Sequence, residues 1–296
     1  PAHLADPAAR ASYVIVTTPS LVPSAEAMAN HRQSAFRTKI VLLDDIYNEF
    51  SQGLTTPHAI ADFLRVAHQT WAVPPRYALL LGDGTYDYRD LMGYGENLVP
   101  PLMLRTDYGL QATDSRYGNV LDDGVPRVSV GRIPVVSPAE FDGVLTKIRD
   151  YESSVVPASL RALLVADRPD AAGDFVANIS GVGRILDPVY DTNWMYYPAP
   201  YPVGLNPPAI DPEPVRAGIR NALNGGVDIL EYVGHGSRSQ LGVAGYLKSS
   251  DVPALAPSDR LPIMVVMTCV VGDFSGPNYP SLAEVMLITA GRGAVA

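Results

Sequence analysis

The chain has 296 residues, of which 31 are acidic and 22 basic, so its formal net charge is −9. This negative balance without a Lys/Arg run argues against nucleic acid and anionic membranes as partners, because clustered cations hold both. With 47% hydrophobic residues and one cysteine, the composition excludes a mainly disordered chain, an internal disulfide and a Cys₄ or Cys₂His₂ zinc site. The longest apolar stretch, residues 261–272, is shorter than the roughly 18–20 residues that span a bilayer.

The first half of the chain alternates between predicted strands and helices. Two β-branched runs, residues 13–18 and 38–43, flank a helical pattern at residues 23–34, which predicts a βαβ unit. The continuous apolar run at residues 77–81 predicts a buried parallel strand. Residues 83–126 are rich in Gly, Asp, Tyr and Pro, and we expect them to form a long irregular segment.

A further strand and helix complete this half before a boundary. Residues 128–133 predict a strand, and a Ser-Pro-x-Glu capping pattern opens a predicted helix at residues 137–151. The Ser-Ser-Val-Val-Pro stretch that follows predicts a boundary between two domains, residues 1–152 and 158–296.

The second half repeats the alternation of strands and helices. Its strands are predicted at residues 161–166, 193–197, 227–233 and 261–268, and its helices at residues 173–186, 215–223 and 281–289. The first half has a further predicted helix at residues 57–69. Both halves are therefore expected to be α/β units with mostly parallel sheets flanked by helices. Residues 293–296 read as the start of another strand, and we expect further domains of the full-length chain beyond them.

Three polar residues come at or just after the ends of predicted strands: Asp167, His235 and Cys269. In open α/β sheets the functional site lies beyond the carboxyl ends of the parallel strands, so we expect these side chains to meet. A thiol, a base and a carboxylate together indicate covalent acyl transfer.

The residue types suit that reaction. A free thiol, whose pKa is about 8.5, is mostly protonated at neutral pH, and His235 would remove its proton and later protonate the leaving amine. The glycines on either side of His235 remove side-chain bulk and expose peptide N–H groups. The amides of Gly236 and Cys269 are candidate oxyanion donors, each worth about 3 kcal/mol in well-studied enzymes.

Each of these residues also has a purely structural interpretation. A lone cysteine after a buried strand is often an inert small hydrophobe, a strand-end histidine can be satisfied by backbone, and an aspartate there often caps a helix. Their coincidence at three strand ends favours a site over three separate accidents.

Several segments resemble the gingipain (C25) cysteine peptidases, which belong to the caspase-like clan with legumain, clostripain and separase. The segments are Tyr-Val-Gly-His-Gly-Ser at residues 232–237, Met-Thr-Cys-Val-Val-Gly-Asp-Phe at 267–274 and Ser-Leu-Ala-Glu at 281–284, with residues 18–20, 82–84 and 130–134 similar to the N-terminal subdomain of the family. The resemblance covers nearly the whole chain and implies a caspase/gingipain-like α/β fold of two side-by-side units.

The resemblance also implies roles for single residues. Cys269 would be the nucleophile, His235 the general base and Asp167 the acidic residue that orients the histidine, with Asp170 and Asp174 close by in the sequence. Family members of known preference cut after Arg or Lys through acidic or hydroxyl groups in the substrate pocket. Here Val233 stands where the family often has Thr, and Asp174 is a candidate for an acidic pocket floor.

The aspartates of the irregular segment are candidate calcium ligands, because several family members hold calcium through carboxylates and backbone carbonyls. The six are Asp83, Asp87, Asp107, Asp114, Asp122 and Asp123. The alternative is that they form turns and carry solvated loop charge. No cofactor is required for the predicted reaction, and a structural calcium ion is the only candidate.

We therefore predict a secreted or cell-surface thiol protease, an endopeptidase that hydrolyses peptide bonds of protein substrates through a thioester on Cys269. One alternative is a catalytically retired C25-like fold that serves as a binding or adhesion module of a surface protein. Another is a sortase-like transpeptidase. The sequence leaves hydrolysis and transfer open, because the outcome depends on whether water or an amine reaches the thioester.

Overall fold

The structure is a computed structural model that describes residues 2–95, 97–107, 109–154, 158–197 and 211–296. It consists of two compact units. The first comprises Pro1–Asp142 and Phe274–Tyr279, and the second comprises Gly143–Asp273 and Pro280–Ala296. The sequence placed the boundary at residues 153–157, of which 155–157 lie outside the described residues. The two units divide after Asp142, inside a helix, and the first unit also includes the later segment Phe274–Tyr279.

The first unit is built on a parallel sheet. Its strands are β1 (Tyr13–Thr17), β2 (Thr38–Leu42), β3 (Tyr77–Leu81), β4 (Met103–Thr106), β5 (Gly109–Ala112) and β6 (Ser129–Ile133), and its helices are α1 (Val22–Arg32), α2 (Leu43–Phe50) and α3 (Pro57–Thr70). The sheet has the strand order β2-β1-β3-β6, and all of its pairs are parallel. Helix α2 was not predicted, because its eight residues continue directly from β2 without a turn signal.

Burial of the central strand and of one helix face forms the core of this unit. Val14 and Val16 of β1 are fully buried and belong to the same apolar cluster as Ile60, Phe63 and Leu64 of α3. The three α3 residues follow the i, i+3, i+4 spacing of one helix face. The helix begins where predicted, with Pro at its first position and a side-chain cap from the preceding threonine.

The segment predicted to be irregular, residues 83–126, contains more order than expected. It forms the antiparallel hairpin β4-β5 and a 3₁₀ helix, Asp114–Gly118. Buried Arg132 of β6 organises the segment, since its guanidinium donates to Asp114 (2.6 Å) and to the carbonyl oxygens of Gly82 (2.8 Å) and Val99 (2.7 Å). These contacts join residues distant in sequence, and local composition does not reveal them.

The second unit also has a four-stranded parallel sheet. Helix α4 (Pro138–Ser153) leads into it, followed by β7 (Leu160–Ala166), α5 (Phe175–Leu186), β8 (Tyr190–Met195), α6 (Glu213–Gly225), β9 (Ile229–Val233), β10 (Gly236–Ser237), β11 (Gln240–Leu241), β12 (Leu247–Lys248), β13 (Ile263–Met267) and α7 (Leu282–Ile288). The sheet order is β13-β9-β7-β8, and β10-β11-β12 form a small antiparallel sheet. No helix in the described ranges is long and apolar enough to cross a membrane.

Helices cover both faces of strand β7 in this unit. Leu163 and Val165 share an apolar cluster with residues of α6, whereas Leu164 and Ala166 share one with Ile179 of α5. This explains why the strand is a continuous apolar run rather than an alternating one. Strand β8 begins at Tyr190, three residues before the predicted start at 193, because its pairing with β7 extends over polar residues.

The last residues of the chain lie beside β13. Val295 N–H donates to the carbonyl of Pro262 (2.9 Å), and Met264 N–H donates to that of Ala296 (2.8 Å). Buried Lys147 of α4 holds the preceding turn through three carbonyls, those of Met286 (3.1 Å), residue 292 (3.0 Å) and residue 294 (2.9 Å). The segment predicted to begin a strand thus follows the open edge of the sheet.

Candidate active site

The carboxyl ends of three adjacent strands carry the predicted site residues. Strand β9 lies between β7 and β13, and the backbone pairing continues past the strand ends. Asp167 N–H donates to the carbonyl of Val233 (3.0 Å), and Gly234 N–H donates to that of Met267 (3.2 Å). His235 and Cys269 therefore follow neighbouring strand ends, as the sequence predicted.

The backbone of His235 is held from two directions. The hydroxyl of buried Tyr232 donates to the His235 carbonyl (2.5 Å), and Gly242 N–H donates to the same oxygen (2.8 Å). The chain turns between them at Gly234, where a Cβ would lie 2.4 Å from the Cβ of Asp167 and 2.5 Å from the Tyr232 hydroxyl. Only glycine fits this position, which explains the first glycine of the motif.

The second glycine of the motif packs on the turn that carries the cysteine. A Cβ on Gly236 would lie 2.4 Å from Oγ1 of Thr268 and 3.1 Å from the carbonyl oxygen of Cys269. The absence of a side chain therefore lets the backbone next to His235 approach the backbone of the candidate nucleophile. This close approach brings together the loop that carries His235, here called the histidine loop, and the loop that carries Cys269, here called the cysteine loop.

The imidazole of His235 is paired with a carboxylate, but not with the expected one. Its Nε2 lies 2.8 Å from Oδ2 of Asp170, and the ring of Phe175 meets it edge-on with 5.1 Å between ring centroids. Because Nε2 faces Asp170, Nδ1 is the nitrogen left for proton exchange with a thiol.

The pKa of Asp170 reflects its hydrogen bonds. Burial works against ionisation of this carboxyl group, but the backbone N–H of Ala172 and the bond to His235 outweigh burial and lower the pKa. A turn closed by backbone bonds between Asp170 and Gly173 places the carboxylate. The group is therefore ionised at neutral pH and suited to stabilise an imidazolium.

Asp167, which the resemblance pointed to as the orienting residue, lies elsewhere. Its fully buried carboxylate accepts from the Tyr246 hydroxyl (3.0 Å) and Arg168 N–H (2.8 Å) at Oδ1, and from Val243 N–H (3.2 Å) at Oδ2. It anchors the loop that follows the histidine. The correction has a simple cause: the two carboxylates are three residues apart, Asp167 directly after β7 and Asp170 at the start of the turn that follows, and sequence position does not show which one meets the ring.

Cys269 is exposed, which contradicts the interpretation of an inert core thiol. Val271 N–H donates to the Cys269 carbonyl across two residues (2.6 Å), so a γ-turn centres on Val270. Val270 has a φ of 38°, a region that β-branched residues rarely enter. Such conformations cost about 1–3 kcal/mol and cluster at functional sites.

The geometry of the small sheet bears on the expected oxyanion donors. Gly236 pairs with Leu241, and the neighbouring bond runs from Gly242 N–H to the His235 carbonyl. In such an antiparallel ladder Gly236 and Leu241 form a non-hydrogen-bonded pair, whose N–H groups point away from each other. The Gly236 amide is thus directed away from β11, while the role of Gly236 and Cys269 as oxyanion donors stays a prediction.

The two residues proposed for a substrate pocket have structural contacts. Val233 is buried in the cluster of Leu164 and Ala166 beneath α5. Asp174 caps α5, because its carboxylate accepts from Ala177 N–H (2.9 Å). Their assignment to a substrate pocket stays a prediction.

The candidate calcium ligands are dispersed. Three of the six aspartates pair with arginines: Asp114 with Arg132, Asp122 with Arg116 and Asp123 with Arg127. Asp83 and Asp87 line a cavity of about 550 Å³ in the first unit, and burial raises the pKa of Asp83 to about 6. Within the described ranges, no three His, Cys, Asp or Glu side chains gather closely enough to hold a metal ion. The role of these aspartates as calcium ligands stays a prediction.

Sequence reasoning missed several residues that hold this site. Tyr232 lies inside the histidine motif and could have been singled out as a tyrosine beside a required glycine. Phe175 and the ion pair between Arg238 and Asp273 carried no local signal, since each contact joins segments at least 35 residues apart.

Comparison with known proteins places this chain in a family. A family model described as Peptidase family C25 matches residues 6–296. The chain belongs to peptidase family C25. The expected α/β, gingipain-like fold with parallel sheets flanked by helices is thereby confirmed, together with the resemblance from which it was inferred.

Individual relatives are distant, and they are longer than this chain. The chain is 23% identical over 261 residues to Gingipain R2 of Porphyromonas gingivalis, which covers 86% of this chain and 31% of that protein. It is 26% identical over 194 residues to Lys-gingipain of the same species, covering 63% of this chain and 10% of the relative. The C25 chain thus spans about a third or less of the curated relatives that it matches.

The fold of this C25 chain is similar to that of a solved relative. The crystal structure of the Arg-specific cysteine proteinase gingipain R superposes with a TM-score of 0.73 at 20% identity, covering 98% of this chain and 62% of the other. At this identity the likeness concerns the fold.

Proposed function

We propose that this C25 chain is an active cysteine endopeptidase in which Cys269 is the nucleophile and His235 the general base. The observation that carries the proposal is the juxtaposition of two loops. An imidazole already paired with a carboxylate follows β9, an exposed thiol follows the adjacent β13, and Gly236 packs directly on the cysteine turn.

The reaction begins with proton transfer from the thiol to Nδ1 of His235. The Cys269 sulfur attacks the carbonyl carbon of the scissile peptide, and the amides of Gly236 and Cys269 stabilise the oxyanion of the tetrahedral intermediate. Ionised Asp170 stabilises the imidazolium through Nε2. The imidazolium then protonates the leaving amine as the carbon–nitrogen bond breaks, which leaves a thioester on Cys269.

Hydrolysis of the thioester completes the cycle. His235 takes a proton from an incoming water, whose oxygen attacks the thioester carbon, and the thiol leaves with the proton returned. If an amine replaced water, the same steps would attach the acyl group to an acceptor. Water is the acceptor that we propose, because the relatives that match are peptidases.

The substrates that we propose are proteins and peptides, without a preference for Arg or Lys. The names of the relatives assign such preferences to those proteins. In this chain Val233 brings neither a hydroxyl nor a charge, and the Asp174 carboxylate is bound to the first turn of α5. The proposal therefore extends the reaction of the family but not the side-chain preference of single members.

A positional-scanning peptide library tests this function. The wild-type protein is incubated with the library beside Cys269→Ala and Cys269→Ser, and Cys269 is labelled with iodoacetamide in parallel. Cleavage by the wild type that both variants lose supports the proposal. Cleavage that survives Cys269→Ala refutes the mechanism. An unlabelled thiol without cleavage favours the binding or adhesion module, and conjugates formed with added amines favour the transpeptidase.

A secreted or cell-surface location remains part of this proposal. Fractionation of the producing cells, with an antibody against the chain, tests it. The chain in the cytosolic fraction would contradict it.

A further inference from the structure

An ion pair joins the two catalytic loops. Arg238 comes three residues after His235, Asp273 comes four residues after Cys269, and Nη2 of the arginine donates to Oδ2 of the aspartate. The two side chains are 23% and 18% exposed, so the pair is only partly solvated. Partial burial makes a charge-assisted bond stronger than at an open surface.

The amino terminus of α7 connects the same two loops through backbone. Leu282 N–H donates to the carbonyl of Arg238 (2.7 Å), and Ala283 N–H donates to that of Val271 (3.2 Å). The capping box of Ser281 and Glu284 fixes this helix terminus. Between the histidine loop and the cysteine loop there is thus a backbone connection, which survives substitutions, and a side-chain connection, which can be removed.

The cysteine loop needs such a restraint because its turn is strained. Val270 holds its positive φ inside the γ-turn of Cys269, and Asp273 N–H donates to the Val270 carbonyl (3.0 Å). Strained backbone persists only where surrounding contacts hold it. The side chain of Asp273 therefore ties the end of the strained turn to the loop that carries the base.

We propose that Arg238 and Asp273 are positioning residues: their ion pair sets the placement of Cys269 relative to His235. The inference rests on the proposed function, since it concerns the dyad that performs the reaction. Reacting groups that lose about 1 Å of alignment can lose about 100-fold in rate.

A second ion pair, at the amino ends of the strands, serves as a matched control. Asp228 precedes β9, Arg260 precedes β13, and the guanidinium donates to the carboxylate through Nε (2.8 Å) and Nη2. The side chains of this pair are 23% and 15% exposed, nearly as in the loop pair. It joins the amino ends of the same two strands, so its loss affects folding without reaching the catalytic loops.

The experiment compares Arg238→Ala, Asp273→Asn, the exchanged double variant Arg238→Asp/Asp273→Arg and the control Arg260→Ala in the intact chain. The measurements are kcat and KM on a peptide found by the library, the rate of Cys269 alkylation by iodoacetamide between pH 5 and pH 9, and thermal unfolding. We expect kcat to fall about 100-fold in both single variants with KM little changed. The exchanged pair should recover part of the loss, and Arg260→Ala should keep the wild-type kcat.

The alkylation profile separates this inference from the proposed function. One outcome is that the wild type cleaves no peptide, while His235→Ala and Arg238→Ala both change the pH profile of Cys269 alkylation in the same way. In that case the endopeptidase proposal fails and the positioning role stands. The positioning role is overturned if the effects of Arg238→Ala and Asp273→Asn, both on kcat and on the rate of alkylation, are no larger than those of Arg260→Ala. It is also overturned if the exchanged pair is no more active than the single variants.

Discussion

Replacing Asp170 by asparagine removes the charge beside the imidazole of His235, the proposed general base, while keeping the size of the side chain. Oδ2 of Asp170 lies 2.8 Å from Nε2 of His235, and the two side chains are 25% and 34% exposed. A hydrogen bond to a charged group contributes about 1.5–3 kcal/mol, and solvent screening at this exposure favours the lower part of that range. The imidazolium formed during the proposed reaction loses this stabilisation, which corresponds to a fall in kcat of about 10- to 100-fold.

The comparison variant is Asp167→Asn, which perturbs the carboxylate that the sequence favoured. In the fully buried site of Asp167 the new amide group would face Val243 N–H, a donor against a donor. An unsatisfied buried group costs about 1–3 kcal/mol, so we expect the free energy of unfolding to fall by that amount. The kcat of the folded fraction should change far less than in Asp170→Asn.

Initial rates on a cleaved peptide and denaturant unfolding of both variants provide the measurements. Asp170→Asn should unfold close to the wild type and turn over slowly, whereas Asp167→Asn should unfold early and turn over well when folded. The reverse pattern, with activity lost in Asp167→Asn and retained in Asp170→Asn, would refute the assignment of Asp170.

Three further predictions concern strain and buried charge. Val270→Gly should raise the free energy of unfolding, measured by urea denaturation, by about 1 kcal/mol. The reason is that relief of the strain at the positive φ outweighs the extra conformational entropy of glycine in the unfolded chain. A lower free energy of unfolding would show that the turn is not strained. Burial raises the pKa of Asp83 to about 6, so the folded chain retains a proton that the unfolded chain has lost, and stability decreases as pH rises from 4 to 6. Asp83→Asn should therefore be more stable than the wild type by about 1–3 kcal/mol at pH 7.5 in EDTA and similar to it near pH 4, and equal differences at both pH values would contradict this. Burial lowers the pKa of Lys147 to about 8, so above that pH the unfolded chain binds a proton that the folded chain has lost. The free energy of unfolding of the wild type, relative to Lys147→Met, should therefore rise by about 2 kcal/mol from pH 8 to pH 10. A difference that does not change with pH would argue against the lowered pKa.

Most strands and helices of this C25 chain could be predicted from the sequence, because their buried positions give a regular pattern of apolar residues. The apolar runs that became β3 and β7 are buried on both faces, and the apolar spacing of α3 follows its buried face. Helix α2, the hairpin β4-β5 and the small sheet after His235 were not predicted. They depend on contacts between distant segments, such as those of Arg132, rather than on local pattern.

The sequence by itself determined that a thiol and an imidazole follow two apolar strands, and the two glycines beside His235 marked where the backbone must approach closely. Parallel pairing then brings such strand ends to one edge, whatever lies between them. Tertiary structure alone decided which carboxylate meets the imidazole: Asp167 and Asp170 are three residues apart, but the Asp167 carboxylate is buried against Tyr246, whereas that of Asp170 meets His235. It also decided the ion pair of Arg238 and Asp273, since a bond across 35 residues depends on the folded positions of both loops.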